Sequence, residues 1–296
     1  MRTLLALAAA LAFASPAAAQ YPYGPDEPPP GANDFGCKPT AAHPNPVVLV
    51  HGLGATAYAN WSTMSPALAD AGYCVYALTY GRKLDNPFPF DQNGGLVRME
   101  ESAVELAAFI DRVLQATGAA QVDIVGHSEG SLMPNYYVRF LPQARYEDGT
   151  LKVRRYVGIT PLWDGTDAGG LGTISTQGEP TGLPAQAREA VAEGCESCPQ
   201  FLKGSAFIAK MNSGGGPREP GVDYTMIMTR YDELVFPYTS GEMEGARNIV
   251  VQDQCPADPS EHLAVAYDPI VVQDVLNALD PARNEVVDCA DAVGAF

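Results

Sequence analysis

Short, continuously apolar runs recur along this chain, and between them the apolar residues fall at helical spacing. "PVVLVHG" carries the first run at Val47–Val50, and "YCVYALTY" the second at 73–80. Further runs stand at 121–126 ("QVDIVG"), 153–160 ("VRRYVGIT"), 223–230 ("DYTMIMTR") and 247–253 ("RNIVVQD"). Runs with so few polar positions read as strands buried on both faces. Helical spacing covers 61–71, closed by Gly72, then 131–141 and Pro269–Leu279. It is clearest over 97–117. There Val97, Ala103, Val104, Ala107, Ala108, Ile110 and Leu114 share one side, while Arg98, Glu101, Glu105 and Arg112 lie largely on the other. Gly118 ends that helix. Strands alternating with helices predict an α/β domain over 47–296, a mostly parallel sheet with helices on both faces.

Two stretches break this rhythm. Residues 20–46 cluster proline without a period and predict an extended lead-in tied down at Cys37. Residues 161–221, rich in Gly, Thr, Ser and Pro, separate two strands that one helix would normally join. Loops of that length are usually functional. The aromatic and aliphatic residues in it (Trp163, Leu171, Leu183, Phe201, Leu202, Phe207) predict an ordered, cap-like insertion. Leu162 and Trp163, at its start, are candidate substrate contacts.

The N-terminus adds a compartment to this picture. Arg2, the apolar stretch 4–14 and Ala17-Ala18-Ala19 follow the order of a secretory signal peptide, expected to cover 1–19. A secreted, extracellular protein is the expectation. No stretch approaches the roughly twenty apolar residues of a membrane span. In an oxidising compartment the six cysteines predict three disulfides, and spacing favours Cys37–Cys74, Cys195–Cys198 and Cys255–Cys289. "CESC" sits among glycine and proline, outside any βαβ pattern, so it reads as a loop staple rather than a redox pair. No histidine stands near it to suggest zinc, and no ligand-spaced cluster suggests calcium; neither metal nor organic cofactor is expected. The net charge of −17, which becomes −18 once Arg2 leaves, argues against nucleic acid and anionic membranes.

The chemistry centres on "IVGHSEGS" at 124–131. G-x-S-x-G by itself arises by chance in about one chain in ten of this composition, so its surroundings decide. It follows an apolar strand directly and opens a helix, the strand–turn–helix setting of a nucleophile elbow, with Ser128 as nucleophile. A serine needs a base, and the base an orienting acid. Of four histidines, His43 lies in the lead-in, His51 in a glycine turn, and His127 beside the serine with its ring expected to point elsewhere. His262, in "CPADPSEHLAVAYDP", follows the last strand, where open parallel sheets keep their sites. Asp232 in "TRYDELVFP" is the preferred acid, with Glu233 and Asp164 as rivals. The backbone N–H groups of Leu53, in "HGLG", and Glu129 are expected to form an oxyanion hole. The Glu129 carboxylate is expected to point away from the acyl site, favoured by the positive end of the following helix.

With these residues in order the chain resembles the secreted actinobacterial class 2 lipases and, more distantly, the small lidless lipase A of bacilli. "PVVLVHGLG", "ATGAAQVDIVGHSEGS", "YVGITPLWDGT", "TRYDELVFPYTS", "EGARNIVVQD" and "EHLAVAYDP" carry the match across nearly the whole mature chain. The resemblance implies an α/β-hydrolase fold with Ser128, Asp232 and His262 as triad and Leu53 and Glu129 as oxyanion donors. It implies hydrolysis of esters with apolar acyl parts, from acylglycerols to polyesters; a monomer, and transient contact with a lipid interface, are separate expectations. Two departures stand out: lidless relatives commonly carry a neutral residue at the Glu129 position, and they lack the 161–221 insertion. An acyltransferase using the same triad and a catalytically dead lipid-binding protein on this fold are the alternatives.

Overall fold

The computed structural model describes residues 24–167 and 193–290. The expected leader at 1–19 and part of the expected insertion, with Leu171 and Leu183, lie outside these. Six parallel strands form one sheet in the order β2-β1-β3-β4-β5-β6. They are β1 Val47–Val50, β2 Val75–Leu78, β3 Val122–His127, β4 Val153–Ile159, β5 Asp223–Met228 and β6 Arg247–Val250. The helices of the described residues are α1 Ala57–Trp61, α2 Met64–Asp70, α3 Met99–Thr117, α4 Glu129–Phe140, α5 Ala206–Met211, α6 Val251–Gln254 and α7 Pro269–Leu279.

Both faces of the sheet are covered, which is why its strands read as unbroken apolar runs. Alternate residues of β1 serve opposite cores. Val48 and Val50 join Leu106, Ile110 and Leu132 of α3 and α4. Val47 and Leu49 join Trp61, Leu68, Val271 and Val275 of α1, α2 and α7. Chain order reverses beside β1, whose two neighbours are β2 and β3. Such a switch point opens a crevice at the carboxyl ends of the strands, where ligands bind in open α/β sheets.

The predicted elements are present with shifted limits. The helix expected over 61–71 is broken at Ser62 and Thr63 into α1 and α2. The last strand stops at Val250 and turns straight into α6. On α3 the buried stripe follows Met99, Ala103, Leu106, Ile110, Val113 and Thr117, while Val104 is 52% exposed. The apolar side chain of Val104 therefore misled the side assignment by one position. The lead-in runs beside β2, where Asn33 bonds both the N–H and the C=O of Ala77 (2.9 and 2.8 Å). Cys37–Cys74 fastens it there, and Cys195–Cys198 and Cys255–Cys289 complete the three pairings expected from spacing. This edge strand is thus shielded from pairing with another chain.

Candidate active site

Ser128 sits in a turn that excludes side chains on either flank. It has φ 55° and ψ −122°, a conformation a non-glycine residue adopts at a cost of about 1–3 kcal/mol. A Cβ on Gly126 would stand 1.9 Å from the Gly130 carbonyl oxygen, and one on Gly130 2.1 Å from that of Val50. Both motif glycines are therefore required by contact between β3, α4 and β1. The turn is held from both sides: Ser128 donates its N–H to Ile159 O (2.9 Å), and Ser131 Oγ donates to Ser128 O (2.6 Å).

Two loops at the same edge of the sheet reach this serine. His262, on the loop after α6, places Nε2 2.9 Å from Ser128 Oγ. Its Nδ1 lies 2.9 Å from each carboxylate oxygen of Asp232, on the loop after β5. Asp232 Oδ1 also accepts the N–H groups of Leu234 (3.0 Å) and Val235 (2.7 Å), which fixes the carboxylate plane. His262 and Asp232 are 2% and 7% exposed, so their interaction is little screened by water. The rival acids stand elsewhere. Asp164 is exposed, and Glu233 faces the backbone N–H of His262 at 3.4 Å rather than its ring.

Leu53 and Glu129 line one apolar cleft of about 200 Å³ with Ser128 and His262. No acceptor among the described residues takes the N–H of either residue. Leu162, Phe201, Leu234, Val235 and Leu263 supply most of the apolar wall. A larger hollow of about 550 Å³, lined by Arg98, Glu100, Gln200 and Lys210 among others, holds none of these groups.

Trp163 requires a correction. Its ring is 1% exposed, packs on Tyr156 and donates Nε1–H to Met226 Sδ (3.2 Å). It belongs to the core, because the first residues of the insertion fold back onto the sheet after β4. Leu162, one residue earlier, does line the cleft.

The Glu129 carboxyl turns to the Tyr80 hydroxyl (Oε1, 3.2 Å), and burial rather than the helix end governs its charge. The side chain is 1% exposed, and burial, opposed more weakly by the hydroxyls of Ser197 and Tyr80, pushes its pKa up to about 8. At neutral pH it is an uncharged carboxylic acid.

The sequence reading missed several supporting residues. His127 donates from Nε2 to the His262 carbonyl (2.9 Å), and its Nδ1 lies 3.0 Å from Asn60 Oδ1. Burial, with His262 adding to it, pushes the His127 pKa down to about 3. Asn60 Oδ1 also accepts the N–H of Gly52 (3.0 Å), one residue before Leu53. Tyr80 reaches His51 O (3.0 Å) and Glu129 Oε1 (3.2 Å). Tyr80 stands just past the carboxyl end of β2, the one signal by which position in the chain could have found it.

A parallel sheet with an elbow serine at its switch point, a histidine after the last strand and an acid between them defines the α/β-hydrolase fold. The family model for class 2 lipases matches residues 44–275, and the chain belongs to that family. Over 108 residues it is 35% identical to triacylglycerol lipases of Pseudarthrobacter phenanthrenivorans and Burkholderia plantarii. These matches cover 35% of this chain and 31% and 27% of those proteins, so the chain spans about a third of the length of these curated relatives. Among solved structures, Aspergillus fumigatus lipase B superposes with a TM-score of 0.62 at 19% identity, covering 89% of this chain and 57% of that one. The mature form of Bacillus licheniformis lipase BlEst2 gives 0.57 at 13% identity, covering 81% and 94%.

Proposed function

We propose that this protein is a secreted serine hydrolase of carboxylic esters with apolar acyl chains, acting through an acyl-serine intermediate. The observation that carries the proposal is the line Asp232–His262–Ser128, joined by 2.9 Å contacts and ending in an apolar cleft. His262 takes the proton of Ser128 as Oγ attacks the ester carbonyl carbon. Asp232 orients the ring and stabilises the imidazolium that forms. Negative charge gathers on the carbonyl oxygen, where the N–H groups of Leu53 and Glu129 are the available donors. Each such donor is worth about 3 kcal/mol in a site of this kind. The intermediate collapses, the alcohol departs with the proton from His262, and the acyl group stays on Ser128. Water then gives a proton to His262 and attacks the acyl carbon; as the acid leaves, His262 returns that proton to Ser128 Oγ and the serine is restored.

The triacylglycerol lipases among the relatives support long or short acylglycerols as substrates. So do Leu234 and Leu263, which line the cleft and are 48 and 57% exposed. Apolar side chains gathered on one surface suit transient contact with lipid or polyester. The three disulfides fit an oxidising compartment. The test is hydrolysis of nitrophenyl acetate, butyrate and palmitate by the wild type and by Ser128→Ala. The reading expects cleavage by the wild type and loss of about a millionfold in kcat on removing the nucleophile. Equal rates in both proteins would end it.

A further inference from the structure

The residue after the nucleophile is buried against three elements that the acyl-transfer scheme does not use. Glu129 Oε1 meets the Tyr80 hydroxyl at 3.2 Å, while Oε2 has no hydrogen-bond partner of good geometry. The Ser197 hydroxyl lies beside this carboxyl. Ser197, one of the two residues enclosed by the Cys195–Cys198 disulfide, is fully buried and donates Oγ–H to the Gly95 carbonyl (2.5 Å). Gly95 in turn donates its N–H to Tyr80 O (2.8 Å). A Cβ on Gly95 would stand 3.2 Å from both Glu129 Oε1 and Leu53 Cα. Gly95 is therefore wedged between two residues that line the cleft, and a hydrogen bond from the disulfide loop holds it.

We infer that Glu129 is a positioning residue that works as a neutral carboxylic acid, fastening the oxyanion loop and the 195–198 loop to the nucleophile elbow. The inference rests on the proposed roles of Ser128 and of the Leu53 and Glu129 amides. Its physical basis is a proton count. Tyr80 has one hydroxyl proton to divide between His51 O and Glu129 Oε1, and Ser197 has placed its own on Gly95 O. An ionised Glu129 would leave Oε2 without a donor in a closed site, which is the costly arrangement for a buried charge. A protonated Glu129 carries its own donor, and Ser197 Oγ has lone pairs to receive it.

Among the described residues, the titratable groups around this point are aromatic hydroxyls, a carboxyl group and two histidines. Tyr80 faces it from beyond β2, and Tyr156 comes from β4. Glu105 of α3 acts on Tyr80 and accepts the N–H of Gly81 (2.9 Å). His51, stacked on Tyr80, has its pKa pushed down to about 4 by burial. His262 lies across the elbow on Ser128. Ionising Glu129 would leave a buried charge with Oε2 unpartnered and set a like charge near the developing oxyanion.

The test is a pair of pH series on the full-length protein from about pH 5 to 10, one for kcat on nitrophenyl butyrate and one for thermal melting. Wild type, Glu129→Gln and Ser197→Ala are compared, with each kcat profile scaled to its own maximum. The wild type is expected to lose kcat about tenfold per pH unit above about pH 8, whereas Glu129→Gln stays level there. In melting, a pKa raised from 4.5 to about 8 means the folded state keeps a proton the unfolded chain releases. The wild type therefore loses stability relative to Glu129→Gln as pH rises between those values, and the gap is constant above them. Ser197→Ala, which removes both the hydrogen bond to Gly95 and the hydroxyl beside Glu129, lowers kcat several-fold at neutral pH with KM unchanged. An alkaline fall shared by wild type and Glu129→Gln, or a melting gap independent of pH, overturns the inference. Ser128→Ala as active as wild type overturns the underlying assignment instead, and the melting series still reads the protonation of Glu129.

Discussion

Replacing Asp232 by asparagine changes one oxygen to an NH2 group, and the structure dictates which oxygen is lost. Oδ1 accepts two backbone N–H groups, from Leu234 at 3.0 Å and Val235 at 2.7 Å. Both can only donate, so the amide must keep its oxygen there and turn its NH2 to the Oδ2 position. That position lies 2.9 Å from His262 Nδ1, as does the retained Oδ1, so the new NH2 group competes with Oδ1 for that nitrogen. A donor facing Nδ1 favours the imidazole tautomer with its proton on Nε2, the atom 2.9 Å from Ser128 Oγ. The ring can then no longer accept the serine proton. A wrong tautomer of this kind costs about 10⁴ in kcat, equivalent to about 5.5 kcal/mol of barrier. KM is expected to stay within a few-fold, and melting within a few degrees, because both backbone hydrogen bonds survive. The assay is steady-state hydrolysis of nitrophenyl butyrate at neutral pH, with Asp164→Asn as an exposed control expected to match wild type. Asp232→Asn within tenfold of wild type would refute the reasoning. An equal loss in Asp164→Asn would move the acid to the end of β4.

Other consequences follow from the same geometry. Gly130→Ala would place its Cβ 2.1 Å from the Val50 carbonyl oxygen, so a loss of about 3 kcal/mol or more is expected, read by denaturant titration. Trp163→Phe removes the Nε1–H bond to Met226 and shrinks a core ring; it should lower stability by about 1–2 kcal/mol while leaving KM unchanged. Cys255→Ser with Cys289→Ser opens a crosslink with a sequence separation of 34, worth about 4 kcal/mol on chain-entropy grounds, and should lower the melting temperature by several degrees. Leu263→Asp, at a rim position 57% exposed, should reduce activity on emulsified tributyrin at least several-fold more than on dissolved nitrophenyl acetate.

The sheet was legible because both its faces are buried, so each strand announces itself as an apolar run bounded by turn residues. The elbow and the loops after β5 and β6 were legible for a topological reason: in a parallel sheet the residues after each strand emerge at one edge. What escaped the reading depends on contacts remote in sequence. His127 touches the carbonyl of a residue 135 positions away, and Ser197 holds a glycine 102 positions away. Neither a lone histidine nor a serine inside a disulfide turn signals that. Trp163 was misread because a tryptophan opening a glycine-rich interval looks like a cap residue, whereas its backbone returns to the core. Glu129 was misread in charge rather than place, since residue type suggests a carboxylate and only burial reverses it.

The central claim is that Ser128 forms a covalent acyl intermediate. Its most direct measurement is mass spectrometry of peptides from protein treated with an alkyl nitrophenyl phosphonate, which a catalytic serine attacks with loss of nitrophenol. The account predicts one stoichiometric adduct, on the peptide containing Ser128, abolished by Ser128→Ala and strongly slowed by Asp232→Asn. An adduct on another residue, or equal labelling of the Ser128→Ala protein, would contradict it.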